Sequence, residues 1–332
     1  MSLPIYQHPT MTVLVDDSVS FLHSLRFQLG SALPSTTFSD AGAALAWLRT
    51  NSRDGSDLET FLSPCVDTYT HEPQPFSVAL HVGQLCQIAR RARRFMTPSV
   101  LVIDYSMPQM NGIEFCEAVK DLPCKKILLT GVADEKVAIA AFNRGLIDRY
   151  IRKSDPDALD RLEAELVTLQ RDYFMAQSRV VHGLLSLHEY RFVCDPAIAA
   201  LVDQVGKSYQ IVEHYLYKTP SGFLMFDAEG RPHLLAIETE TGMRAHYEMA
   251  RDSGAPQGLL DALRERNVIP NFDTVDGMYS PAFNEGWYNH TAPAQECRGR
   301  ERYYWAMFDL DPRRLDGPVA PLSAFLRQHQ AS

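Results

Sequence analysis

Residues 99–112 read SVLVIDYSMPQMNG. Val100, Leu101, Val102 and Ile103 form a short unbroken apolar run closed by a Met-Pro turn signal, the pattern of a strand buried on both faces of a parallel sheet. Asp104 then stands at the C-terminal end of that strand, the edge where open α/β sheets gather ligands and chemistry. An aspartate before a turn also caps that turn through its own side chain, and in isolation this explains the residue as well. The choice depends on what the rest of the chain brings to the same edge.

Outward from this stretch, strand and helix signals alternate. Short strands are predicted over residues 12–15, 36–39, 127–130 and 149–152. Helices are predicted from the N-cap Ser18 to Gly30, with Phe21, Leu22, Leu25 and Leu29 on one face, and over 41–48, 112–119 and 134–143. Such βα alternation implies a doubly wound α/β fold with a five-stranded parallel sheet and helices on both faces. Its strand ends deliver Asp16, Asp17, Asp104, Thr130 and Lys153 to one rim. Three carboxylates in one place disfavour joint ionisation, so a cation belongs among them. A hard divalent ion such as Mg²⁺ takes oxygen ligands and keeps several waters, and Lys153 adds a fixed charge. With the Thr130 hydroxyl the set suits a phosphoryl group, whose oxygens metal, ammonium and hydroxyl would share.

In this order and at these strand ends, Asp16-Asp17, Asp104 in DYSMPQMNG, Thr130 with small Gly131, and Lys153 with Tyr150 three residues before it make the first half resemble the receiver domain of two-component response regulators. The resemblance covers residues 11–155 apart from one insertion and implies a flavodoxin-like fold. It implies that Asp104 accepts a phosphoryl group from a sensor histidine kinase or phosphotransfer protein. It also implies Mg²⁺ on Asp17, Asp104 and the Ser106 backbone carbonyl, with Asp16 acting through water. Thr130 would move to bind the phosphoryl oxygen and Tyr150 would turn inward behind it, a local change that biases a bistable surface. Two departures stand out. The lysine is followed by Ser154 and Asp155 before Pro156, where many receivers place proline directly, so its loop is expected to be less constrained. Ser106 and Val132, which flank the line of water attack, are neither acid nor amide, so a long-lived acyl phosphate is expected. Residues 131–153, GVADEKVAIAAFNRGLIDRYIRK, and an unfamiliar second half further resemble the response regulators of α-hydroxyketone quorum-sensing systems.

The insertion, residues 51–98, is far longer than an ordinary connection. Its first part is polar and Pro-containing and reads as an irregular excursion. Its second part carries Val78, Val82, Leu85, Ala89, Ala92 and Met96 at helical spacing, with Arg90, Arg91, Arg93 and Arg94 off that stripe. These arginines suit a nucleic acid or acidic partner, or the solvated face of a docked helix. After Pro156, residues 157–182 contain no Gly or Pro, and Leu159, Leu162, Leu166, Leu169, Tyr173, Ala176 and Val180 repeat as a heptad seam. Such a seam fits a helix packed on its own domain or a two-helix coil, and the expectation is a homodimer joined by a connecting helix over 156–187.

Residues 188–332 read as an α+β output domain. A helix is predicted around Ile198–Val205, strands over 211–217, 222–226, 233–237 and 303–310, and helices over 243–250, 257–266 and 322–328. No P-loop, G-x-S-x-G or helix-turn-helix stands out. His214, His233, His246 and His290 lack metal-ligand spacing, while Glu238 with Glu240 and Asp309 with Asp311 sit two apart near strand ends, where they suit acid/base chemistry or simply meet water. Arg298, Arg300 and Arg302 beside Tyr303, Tyr304 and Trp305 suit stacking on a nucleotide. The output is therefore expected to be an interaction module controlled by dimerisation or a nucleotide-handling enzyme.

Bulk properties set the outer limits. The chain has 332 residues with 45% hydrophobic and 22% charged content, enough for two domains. Residues 1–155 carry 15 Lys+Arg against 16 Asp+Glu, and residues 156–332 carry 17 against 25. The acidic second half disfavours phosphate backbones, hence DNA or RNA. Six scattered cysteines favour reduced thiols over a disulfide frame or zinc site. With no apolar run of about 18 residues and no secretory signal, a cytoplasmic protein without membrane contact is expected.

Overall fold

The computed structural model describes residues 3–30, 33–52, 62–66, 73–131, 135–185 and 189–330. Five parallel strands form one sheet in the order Ser35–Phe38, Met11–Val15, Pro98–Asp104, Lys125–Thr130, Arg149–Arg152. The strand in the middle, Pro98–Asp104, is buried at every position. That is why its sequence shows no alternation: each face of the sheet has its own helical cover. On one face Leu14, Val100, Val102, Ile127 and Leu129 meet Leu22 and Leu25 of helix Val19–Gln28 and Leu162, Leu166 and Leu169 of helix Ala158–Leu185. On the other, Val13, Leu101, Ile103 and Leu128 meet Ala44, Leu48, Phe115, Ala138 and Ala141 of the helices Ala41–Asn51, Gly112–Ala118 and Glu135–Asn143. Ser18, Asp40 and Asn111 begin three of these helices by accepting a backbone N–H two or three residues on.

The first part of the heptad seam is covered inside this fold. Leu162, Leu166 and Leu169 are 1–2% exposed in the single chain and pack on the parallel sheet, so these residues of the stripe expected to pair with a second helix instead close the chain's own sheet. A periodicity of apolar residues specifies a buried face but not its partner. Leu166→Ala is accordingly expected to lower unfolding stability by about 2–5 kcal/mol, as for other buried leucines. Urea denaturation measures it, with no change in oligomeric state by light scattering.

The described chain divides into two compact units. One comprises His8–Leu58, Arg91–Gln177 and Leu322–Ser332; the other comprises Met1–Gln7, Glu59–Arg90 and Ser178–Pro321. Residues 59–90 of the insertion thus belong to the second unit. They form the antiparallel strands Leu62–Val66 and Pro73–Leu80 rather than an irregular excursion, while residues 53–61 and 67–72 lie outside the described residues. The single helix predicted next is instead a short turn Val82–Leu85 followed by 3₁₀ segments Cys86–Arg90 and Ala92–Met96. Val82, Leu85 and Ala89 are buried as their spacing required, but the chain is extended at Arg91. This break lets Arg94 be buried, its guanidinium 3.9 Å from the Phe95 ring and its Nη1 donating to the Arg91 carbonyl. Arg90 pairs with Asp316 at 3.4 Å. The four arginines therefore do not make one basic face.

The second unit is built on a six-stranded antiparallel sheet ordered Tyr6–Gln7, Ile211–Tyr217, Gly222–Asp227, Pro232–Thr239, Arg302–Asp309, Gln295–Arg298. The meander was legible; its two short edge strands were not, because two to four residues show no period. Helices Pro196–Ser208, Glu240–Asp252 and Gln257–Arg264 belong to this unit. Helix Leu322–Gln330, predicted for the output domain, belongs to the first unit, where Phe325 lies 5.2 Å from the Phe95 ring. Among the described residues no helix is long and apolar enough to cross a membrane.

Candidate functional site

The strand ends of the parallel sheet bring Asp16, Asp17, Asp104, Thr130 and Lys153 together at one edge. Lys153 Nζ lies 2.6 Å from Asp16 Oδ2 and 2.7 Å from Asp104 Oδ1, so one ammonium bridges two buried carboxylates. Each carboxylate's other oxygen accepts a backbone N–H at 2.9 Å, from Ser18 for Asp16 and from Ser106 for Asp104. Asp104 is thus oriented by its own turn as well as by the lysine. That turn closes only because residue 112 is glycine: a Cβ there would stand 2.5 Å from the Asp104 carbonyl oxygen and 2.7 Å from Leu128.

Electrostatics follow from burial and pairing. Burial raises Asp16 above the ordinary carboxyl value, with the Lys153 and Ser18 hydrogen bonds pulling the other way. Burial also pulls Lys153 down, but its hydrogen bonds to Asp104 and Asp16 outweigh this and hold the ammonium above its usual range. The Phe21 ring adds a cation–π neighbour 4.3 Å from Nζ. Phe21 is a residue that periodicity assigned only to an apolar helix face. Its position three residues after the N-cap Ser18, in the turn that follows the acidic pair, was the available signal.

Two features bear on what the edge can hold. One carboxylate oxygen from each of Asp16, Asp17 and Asp104 lies within 4.8 Å of the others, and Asp17 is exposed. Three hard oxygen donors open to water on one side fit Mg²⁺, which keeps part of its hydration shell. The Thr130 Oγ1, fully buried at the end of its strand, has no hydrogen-bond partner. A buried hydroxyl left so is the exception in proteins, and it keeps a proton free to donate to an oxygen acceptor.

The lysine's loop is constrained differently from the proline pattern. Asp155 takes Arg152 at 3.2 Å and Arg161 at 3.1 Å, tying the turn after Lys153 to the next helix. Tyr150 is half-buried, its ring edge-on to Phe142 at 6.4 Å. Val132 lies outside the described residues.

The arginine cluster of the second unit does not form the stacking site that its sequence suggested. Tyr303, Tyr304 and Trp305 are buried in strand Arg302–Asp309, and the two tyrosine hydroxyls donate to Asp195 and Glu240. Arg298 and Arg302 both pair with Glu296, at 2.7 and 3.3 Å, and the Arg300 backbone N–H donates to Asp195. Alternation places successive side chains on opposite faces, so aromatic neighbours along a strand do not make one platform.

Comparisons with known proteins bear on both units. The family model described as the response regulator receiver domain matches residues 76–163. That span contains Asp104, Thr130 and Lys153 but begins within the insertion, after Asp16 and Asp17. The cyclic di-GMP phosphodiesterase response regulator RpfG of Xanthomonas campestris pv. campestris is 31% identical over 86 residues, 25% of this chain. The chain spans only 23% of that relative's length. The response regulator LqsR of Legionella pneumophila is similar from end to end, with 31% identity, a TM-score of 0.77, and coverage of 99% of this chain and 97% of that one. Since this likeness takes in the second unit along with the acidic edge of the first, the chain belongs to the response regulators.

Proposed function

We propose that the chain is a phosphorylation-dependent response regulator, with Asp104 as phosphoacceptor, in a two-component system of the quorum-sensing type. The observation that carries this is the Lys153 ammonium shared between Asp16 and Asp104 beside the unpartnered Thr130 hydroxyl. In the proposed reaction an Asp104 oxygen attacks the phosphorus of a partner's phosphohistidine, an O–P bond forms as the N–P bond breaks, and the imidazole leaves. Lys153 balances charge on the phosphoryl oxygens, and Thr130 donates its unused proton to one of them. Asp17, Asp104 and the Ser106 carbonyl, with Asp16 through water, would hold Mg²⁺, which supplies charge neutralisation at the same oxygens. Tyr150 then follows Thr130 inward. Beside it, helix Glu135–Asn143 exposes Ile139 and Phe142 at 39% and 43%, one turn apart on the same side, an apolar patch through which the change reaches a partner.

The test is incubation with acetyl phosphate and Mg²⁺, read by intact mass. A gain of one phosphoryl group, with the modified residue mapped to Asp104, is expected. No gain with acetyl phosphate and no beryllofluoride complex would overturn the reading.

A further inference from the structure

The second unit contains a cluster that the phosphoryl site does not use. A cavity of about 930 Å³ is lined by the end of strand Pro232–Thr239, the first turns of helix Glu240–Asp252, and residues 218–221 and 275–278. That size is typical of small-molecule sites. Phe192, Pro220, Ile237, Ala245 and Met278 give it apolar walls. Its lining includes one enclosed acid–base pair: His246 Nε2 lies 3.3 Å from Glu238 Oε1, with the two side chains 7% and 12% exposed.

Three features set this pair apart from an ordinary packed histidine. The other ring nitrogen, His246 Nδ1, is buried with no hydrogen-bond partner, a condition that native interiors seldom tolerate without a function or an absent ligand. Next, a Cβ on Gly242 would overlap Glu238 Oε2. The first turn of the helix, capped where Thr239 Oγ1 accepts the Gly242 N–H at 3.1 Å, thus leaves a space that the carboxylate occupies. Finally, Lys218 lines the same cavity, exposed and without an ion pair among the described residues. Arg191, the other cation of the lining, is already held by both oxygens of Glu301 at 2.8 and 2.7 Å. Asp276, also exposed there, gives one oxygen to the Met278 N–H and the Thr274 hydroxyl.

The chemistry of these groups limits the ligand. A carboxylate against Nε2 keeps the neutral ring's proton on that nitrogen, which makes Nδ1 an acceptor for a hydroxyl or amine proton. An unpaired ammonium takes an anion. Among the described residues no third His, Cys, Asp or Glu joins Glu238 and His246 in a metal-holding group. We infer that the output unit binds a small organic acid with an apolar body and an amino or hydroxyl donor, the donor on His246 Nδ1 and the carboxylate on Lys218.

The test uses the full chain and thermal shift followed by calorimetry. The probes are apolar amino acids and their 2-hydroxy analogues, such as leucine and 2-hydroxyisocaproate, at up to about 10 mM, a range that reaches weak primary sites. Isocaproate lacks the donor and leucinol lacks the acid. At least one probe should raise the melting temperature saturably while its donor-free and acid-free counterparts do not. Lys218→Met and His246→Gln should each weaken binding about tenfold or more, as loss of one charged or buried hydrogen bond does. Lys218 is exposed, so its variant reads binding even where the His246 variant is poorly folded. No shift with either series, or affinity unchanged in Lys218→Met or in a folded His246→Gln chain, overturns the inference.

Discussion

Asp104→Asn is expected to take up no phosphoryl group under conditions in which the unaltered chain takes up one. An amide oxygen keeps the shape of the carboxylate and still accepts the Ser106 N–H, so the turn that presents residue 104 should survive. What is lost is the nucleophile. Removing an attacking group lowers a covalent step by at least about three orders of magnitude, which intact mass or a phosphate-affinity gel reads directly. The fold should be unharmed, because Lys153 retains Asp16 at 2.6 Å and one of two like charges has been removed. Continued labelling at another residue would show that the acceptor lies elsewhere.

Lys153→Met should have the second-largest effect, and on two observables. Both carboxylates that the ammonium bridges are buried, and stripping a cation from buried partners destabilises by about 3–5 kcal/mol. Urea unfolding in EDTA should show that loss, and Mg²⁺ should restore part of it. Phosphoryl uptake should fall as well, since no fixed charge then balances the incoming oxygens. The pH dependence has a definite sign. In the unaltered chain Lys153 is held above the ordinary lysine value, so its contribution is fully present below that value and is lost only as pH rises through the higher folded one. Asp16 is raised by burial, so the folded state holds its proton more tightly and its ionisation opposes folding once pH exceeds that value. The variant's deficit should therefore shrink as pH falls through the Asp16 range. A deficit that is independent of both Mg²⁺ and pH would mean that Lys153 is only a packing residue.

How far the chain could be read in advance differs between its halves. The parallel sheet and its acidic edge were legible because the strands Met11–Val15, Pro98–Asp104 and Lys125–Thr130 carry local apolar runs and the rim residues stand at or just after strand ends: Asp16 after Val15, Asp104 after Ile103, Thr130 and Lys153 at the last two strand ends. The same local logic went wrong at Leu162, Leu166 and Leu169, whose heptad spacing is equally true of a coiled coil and of a helix lying on its own sheet. It also went wrong at Tyr303 and Tyr304, where neighbours in sequence point to opposite faces.

Local order along the chain was thus enough to specify the βα alternation, the five rim residues and the receiver likeness, since each depends on a residue's relation to its own strand or helix. Which surface covers the long helix, where residues 59–90 and 322–330 belong, and the meeting of Glu238 with His246 were left to three-dimensional packing. Those outcomes depend on which distant groups exclude water together, and burial of that kind leaves no periodic trace in the neighbouring residues.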